Sequence, residues 1–111
     1  MIPSQMLKGT LSGCILAIIA RRETYGYEIA ETLSGHGFGK IAEGTIYPLL
    51  LRLEKNGLVT TEYRASGLGP KRKYYSLTPL GREELETFKK SWDELDSAVS
   101  STLKGEDIDE S

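Results

Sequence analysis

The hydrophobic pattern of this chain changes its period abruptly at Gly57. Before that glycine, Ile46, Leu49/Leu50 and Leu53 recur at i, i+3, i+4 and i+7 within about Gly44–Asn56, one stripe of a helix. After it, Leu58–Ala65 alternates, with Val59, Thr61 and Tyr63 on one side and Thr60, Glu62 and Arg64 on the other. Lys71–Leu77 alternates again, Lys73, Tyr75 and Leu77 opposing Arg72, Tyr74 and Ser76. The intervening Ser66-Gly67-Leu68-Gly69-Pro70 has the composition of a turn. A chain that passes from helical to strand period in this way must pack helices against a β-hairpin.

Two more helices precede the change. Leu7, Leu11, Cys14/Ile15 and Ile18/Ile19 share a face over Met6–Arg22. A shorter helix starts from Thr24 as a cap, turns Ile29, Ala30 and Leu33 inward, and ends in the glycine-rich Gly35–Gly39. After the hairpin, Thr78-Pro79 supplies a hydroxyl cap and a first-turn proline, and Glu83, Glu84 and Glu86 favour the positive end of the helix dipole. This last helix runs to about Leu103 and stops at Gly105. Its stripe Leu85, Phe88, Trp92, Leu95, Val99 is spaced 3, 4, 3, 4, a heptad-like seam. The expected architecture is mainly α with a small β-hairpin: a winged helix-turn-helix over residues 1–78, a long C-terminal helix over 79–105, and an acidic, frayed tail over 106–111.

In such a layout the third helix enters a major groove, whose width of about 12 Å admits one helix. Its outer face offers Thr45, Tyr47, Pro48, Arg52 and Lys55 for hydroxyl, apolar, guanine and phosphate contacts. Pro48 has no N–H and crowds the carbonyl of Gly44, which places it near a helix start. Arg64, Lys71, Arg72 and Lys73 on the hairpin suit phosphates or a minor groove, although lysines on an edge strand also serve simply to block edge pairing. Charge supports the first use. Residues 1–80 carry ten Lys and Arg against six Asp and Glu, whereas residues 81–111 carry four against ten. A winged-helix module that meets an acidic protein partner, without an operator of its own, is the competing reading.

Other functions lack their residues. The 111 residues include one cysteine and one histidine, so no disulfide framework, Cys/His metal cluster or catalytic constellation is expected, and no cofactor. Cys14 lies inside an apolar helix and His36 in a loop without a partner cluster. The glycine cluster has neither dinucleotide nor phosphate-loop spacing. The apolar Leu11–Ala20 is shorter than the ~20 residues of a bilayer span, and Arg21-Arg22 follows where a cleavage site would need small residues. A cytoplasmic protein without membrane contact is expected.

Glu43-Gly44-Thr45-Ile46-Tyr47-Pro48-Leu49-Leu50, then Arg52-Leu53-Glu54 and Gly57-Leu58-Val59, resembles the recognition-helix signature of the PadR family of transcriptional regulators. Gly69-Pro70-Lys71-Arg72-Lys73-Tyr74-Tyr75, Leu77-Thr78 and Gly81-Arg82 resemble that family's wing, and Tyr25-Gly26-Tyr27-Glu28-Ile29 its second helix. The length is similar to the short subfamily with a single C-terminal helix, and the resemblance implies that this dimerisation helix, residues 79–105, forms with the first helix a dimer interface of Leu85, Phe88, Trp92, Leu95 and Val99. The resemblance implies a homodimer that binds double-stranded DNA at an inverted repeat and represses a nearby gene, in some members until a phenolic acid or a flat hydrophobic effector releases it. Carried over by motif position, the DNA contacts are Tyr27, Thr45, Tyr47, Pro48, Arg52, Lys71, Arg72 and Lys73, with Lys8 a weaker phosphate candidate. Trp92 falls where one multidrug-binding member stacks its ligand; packing on the seam is the plainer role for it.

Overall fold

The computed structural model describes residues 1–105 and Asp107, and the acidic tail expected over 106–111 otherwise lies outside the described residues. In chain order the elements are α1 (Ser4–Leu7), α2 (Leu11–Arg21), β1 (Thr24–Tyr25), α3 (Gly26–Leu33), a π-type turn (Ser34–Phe38), α4 (Glu43–Lys55), β2 (Val59–Ser66), β3 (Gly69–Leu77) and α5 (Pro79–Lys104). The architecture is mainly helical, with an antiparallel three-stranded sheet in the order β1-β3-β2. Its core joins Ile15, Leu16 and Ile19 of α2 to Ile29 and Leu33 of α3, Ile46, Leu50 and Leu53 of α4, Val59 and Tyr75 of the hairpin, and Leu85 of α5.

Three expectations are corrected. The first helix is broken in two: Gly9 takes φ +86°, a left-handed turn that L side chains rarely adopt, and Thr10 donates its N–H and hydroxyl to the Leu7 carbonyl. Thr24 is a strand residue rather than a cap. It pairs with Tyr75, Tyr25 pairs with Tyr74, and α3 begins after Tyr25. Buried Thr24 gives its hydroxyl proton to Glu28 Oε1 at 2.6 Å, the partner a buried hydroxyl requires. The hairpin loop is also shorter than its composition implies. The strands reach to Ser66 and Gly69, leaving Gly67-Leu68 as the turn, and a register irregularity between Arg64 and Ser66 absorbs the offset.

The α4 helix continues past Pro48, one turn deeper than a first-turn proline. Both Gly44 and Pro48 are exposed, so the Gly44 carbonyl left without an amide stays open to solvent. The start of α5 forms as expected. Thr78 Oγ1 accepts from the Gly81 N–H at 2.9 Å and donates to the Gly57 carbonyl at 2.7 Å, tying the helix start to the end of α4. From there α5 leaves the body. Its 26 residues are ~39 Å long at ~1.5 Å each, and the protomer measures 64 × 31 × 20 Å.

Candidate nucleic-acid interface

Helix α4 buries Ile46, Leu50 and Leu53 and therefore turns Thr45, Tyr47, Pro48, Leu51, Arg52 and Lys55 outward. Tyr47 is held by a glycine. A Cβ built on Gly26 would lie 2.8 Å from Tyr47 Cε1 and 2.9 Å from its hydroxyl, so the ring rests on bare backbone at the start of α3. Tyr47 remains 46% exposed in that position.

A cleft of about 500 Å³ opens between α3, α4 and the wing. Tyr25, Gly26 and Tyr27 form one wall, Tyr47 and Leu51 a second, and Lys71, Arg72, Lys73 and Tyr75 of β3 the third. The fold thus brings together Tyr27, Tyr47 and the three wing cations named from sequence. A larger cleft, about 930 Å³, lies along the N-terminal part of α4, and there Lys8 joins Thr45, Pro48 and Arg52. The candidate contacts therefore divide into two groups beside one helix. Lys40, which the sequence reading passed over, lines the second cleft with Lys8 and Arg52, and its position after a glycine-rich turn gave no periodic signal. Among the described residues neither cleft is lined by an Asp or Glu, an arrangement suited to a polyanion.

The wing cations differ in their surroundings. Lys71 is exposed, and Arg72 stacks over the Tyr25 ring at 4.5 Å. Lys73 donates to Glu54 Oε1 at 2.8 Å, and Arg64 donates to Glu23 at 2.5 Å and Glu62 at 3.0 Å while lying over the Tyr74 ring at 4.7 Å. The Lys73 bond and the Thr61 hydroxyl hold the Glu54 carboxyl below its ordinary range, and the same bond raises Lys73. Glu31, one turn along α3, pushes the Tyr27 phenol up.

On α5 the five stripe residues also separate. Leu85 is in the core, and Phe88 is half-buried with its ring pressed on the backbone of Gly13, which leaves no room for a Cβ there. Trp92, Leu95 and Val99 are 44%, 52% and 47% exposed, and Leu103, four residues on, extends the bare stripe at 81%. Cys14 is half-buried, and burial raises its thiol. His36 is exposed in the π-type turn. Among the described residues no group of three metal-ligating side chains occurs, and no helix is long and apolar enough to cross a membrane.

Residues 15–87 match the PadR-like family of transcriptional regulators. The chain is 54% identical to a PadR-like transcriptional regulator of Bacillus cereus, whose crystal structure superposes with a TM-score of 0.81 over 92% of this chain and 99% of that one. A Streptococcus transcriptional regulator is 46% identical, with a TM-score of 0.79 over 91% of this chain and 99% of its own. A transcriptional regulator of Mycobacterium tuberculosis is 38% identical over 81 residues, 73% of this chain and 74% of that protein.

Proposed function

Because this chain belongs to the PadR-like family of transcriptional regulators, and so is a DNA-binding regulator rather than an enzyme, we propose that it works as a homodimeric repressor on an inverted-repeat operator. The observation that carries this reading is the cleft in which Tyr27 and Tyr47 stand opposite Lys71 and Arg72, one wall of it the recognition helix and another the wing. Tyr47, Thr45, Pro48 and Arg52 read base edges in the major groove. Lys71 and Arg72 hold phosphates beside them, and Lys8 holds one on the far side of the helix. The bare stripe Trp92, Leu95, Val99 and Leu103 pairs with its copy, because an apolar face of this length is left uncovered among the described residues.

Selection of bound duplexes from a random pool tests the reading. A palindrome with half-sites one helical turn apart, about 34 Å or a multiple, is the expected product. Recovery of no common sequence, or of one unrepeated half-site, overturns it. Exposed Trp92 on the same stripe supports a planar aromatic effector bracketed between two copies near the two-fold axis. Titration of planar dyes should then quench the single tryptophan and release DNA; unchanged fluorescence at saturating dye removes the effector from the proposal.

A further inference from the structure

Glu54, in the last turn of α4, accepts from both strands of the wing at once. Lys73 Nζ of β3 lies 2.8 Å from Oε1, and Thr61 Oγ1 of β2 lies 2.9 Å from Oε2. The rungs Tyr63–Lys73 and Thr61–Tyr75 are neighbours on one face of the hairpin, so the carboxylate sits astride it. The opposite face is tied in the same manner. Glu23, between α2 and β1, accepts from Arg64 at 2.5 Å and from Ser76 at 3.0 Å.

From this geometry we propose that Glu54 is a positioning residue, which fixes the wing against the recognition helix and, by holding Lys73, withholds one cation per protomer from the DNA backbone. Glu23 has the corresponding effect on Arg64. Sequence-independent affinity grows with every phosphate neutralised, whereas base readout does not. A cation held inside the protein therefore lowers binding to every sequence alike and leaves the contacts of Tyr47 intact, so that occupancy of any site leans more on base readout. The withheld cation is well placed to stay. The Lys73 and Glu54 side chains are only 28% and 32% exposed, and the ammonium lies 5.7 Å above the Tyr75 ring. Lys71 and Arg72 have no carboxylate within ion-pair distance among the described residues and remain for phosphates.

The proposal rests on the DNA-binding reading, and salt titration separates the two. The probe is a duplex of mixed sequence, bound by the full chain and followed by fluorescence anisotropy across a salt series. Lys71→Met should flatten the log–log salt dependence by about 0.9 per protomer, or about 3.5-fold in affinity between 50 and 200 mM salt. Lys73→Met should leave that slope as it was. Glu54→Gln should steepen the slope by about the same 0.9 per protomer, and adding Lys73→Met to that variant should return it to the parental value. If Lys73→Met alone flattens the slope as Lys71→Met does, Lys73 already meets a phosphate and the proposal is overturned. That comparison decides the matter even if Glu54→Gln fails to fold. A parent that ignores duplex DNA at low salt would instead remove the DNA-binding reading, and this inference with it.

Discussion

Replacing Leu95 by aspartate probes the seam directly. In one protomer Leu95 is 52% exposed and lies between Trp92 and Val99 on the bare face of α5. Full burial of a leucine contributes about 1.5–3 kcal/mol, so covering its exposed half in a dimer contributes about 1 kcal/mol per copy. Aspartate forfeits this and adds a carboxylate without a partner, costing about 2 kcal/mol when desolvated. A two-fold seam repeats the change on both copies, for a total of about 6 kcal/mol, or ~10⁴-fold in dissociation constant. Leu95→Ala forfeits only the burial, about 2 kcal/mol over the pair and ~30-fold. Helix α5 itself should persist, since Leu85 and Phe88 anchor its first half to the body. Sedimentation equilibrium, with far-ultraviolet circular dichroism as the control for folding, should rank self-association as parent, Leu95→Ala, Leu95→Asp. A folded Leu95→Asp variant that dimerises as tightly as the parent would refute the reasoning, because it would place the seam elsewhere.

Three other outcomes are expected. Gly26→Ala should displace the Tyr47 ring and reduce preference for the selected operator toward that of Tyr47→Ala, a loss of ~1–3 kcal/mol in competition binding, while phosphate-driven affinity for mixed-sequence DNA holds. Thr78→Ala removes the acceptor for the Gly81 N–H and the donor to the Gly57 carbonyl, and should cost ~1–2 kcal/mol in thermal or chemical denaturation. The folded-state pKa values of Glu54 and Glu23 are depressed, Glu54 chiefly by Lys73 and Glu23 by Ser76 and Arg64. Depressed carboxyls add stability that is fully present above their unfolded pKa of ~4.3 and is lost as pH falls through the folded value. Melting temperature should therefore decline on acidification below that range, and Glu54→Gln should make the decline shallower.

Most of the architecture is written locally in the sequence. The stripe of α4, the alternation of β2 and β3, and the Thr78-Pro79 start of α5 each occupy a few consecutive residues whose spacing admits one reading. The features that escaped are those whose partner is distant. Thr24 and Tyr25 form a strand only because Tyr74 and Tyr75, some fifty residues on, present an open edge, and two residues are too few to display a period. The break at Gly9 is silent because Leu7 and Leu11 keep helical spacing across it. In the candidate interface, residue types alone single out the cations as a group. Their division into carboxylate-held Lys73 and Arg64 and open Lys71 and Arg72 depends on Glu54 and Glu23, which lie 19 and 41 positions from the cations they hold.

Only Thr78 intervenes between the last residue of β3, Leu77, and the first of α5, Pro79, and its N–H, donated to the Leu58 carbonyl, and hydroxyl, donated to the Gly57 carbonyl, lock that joint. The strand that carries Lys71 and Arg72 and the helix that carries Trp92 therefore meet at a pinned elbow. A tilt of the long shaft would be passed to the wing through these bonds, with no loop between them to take it up.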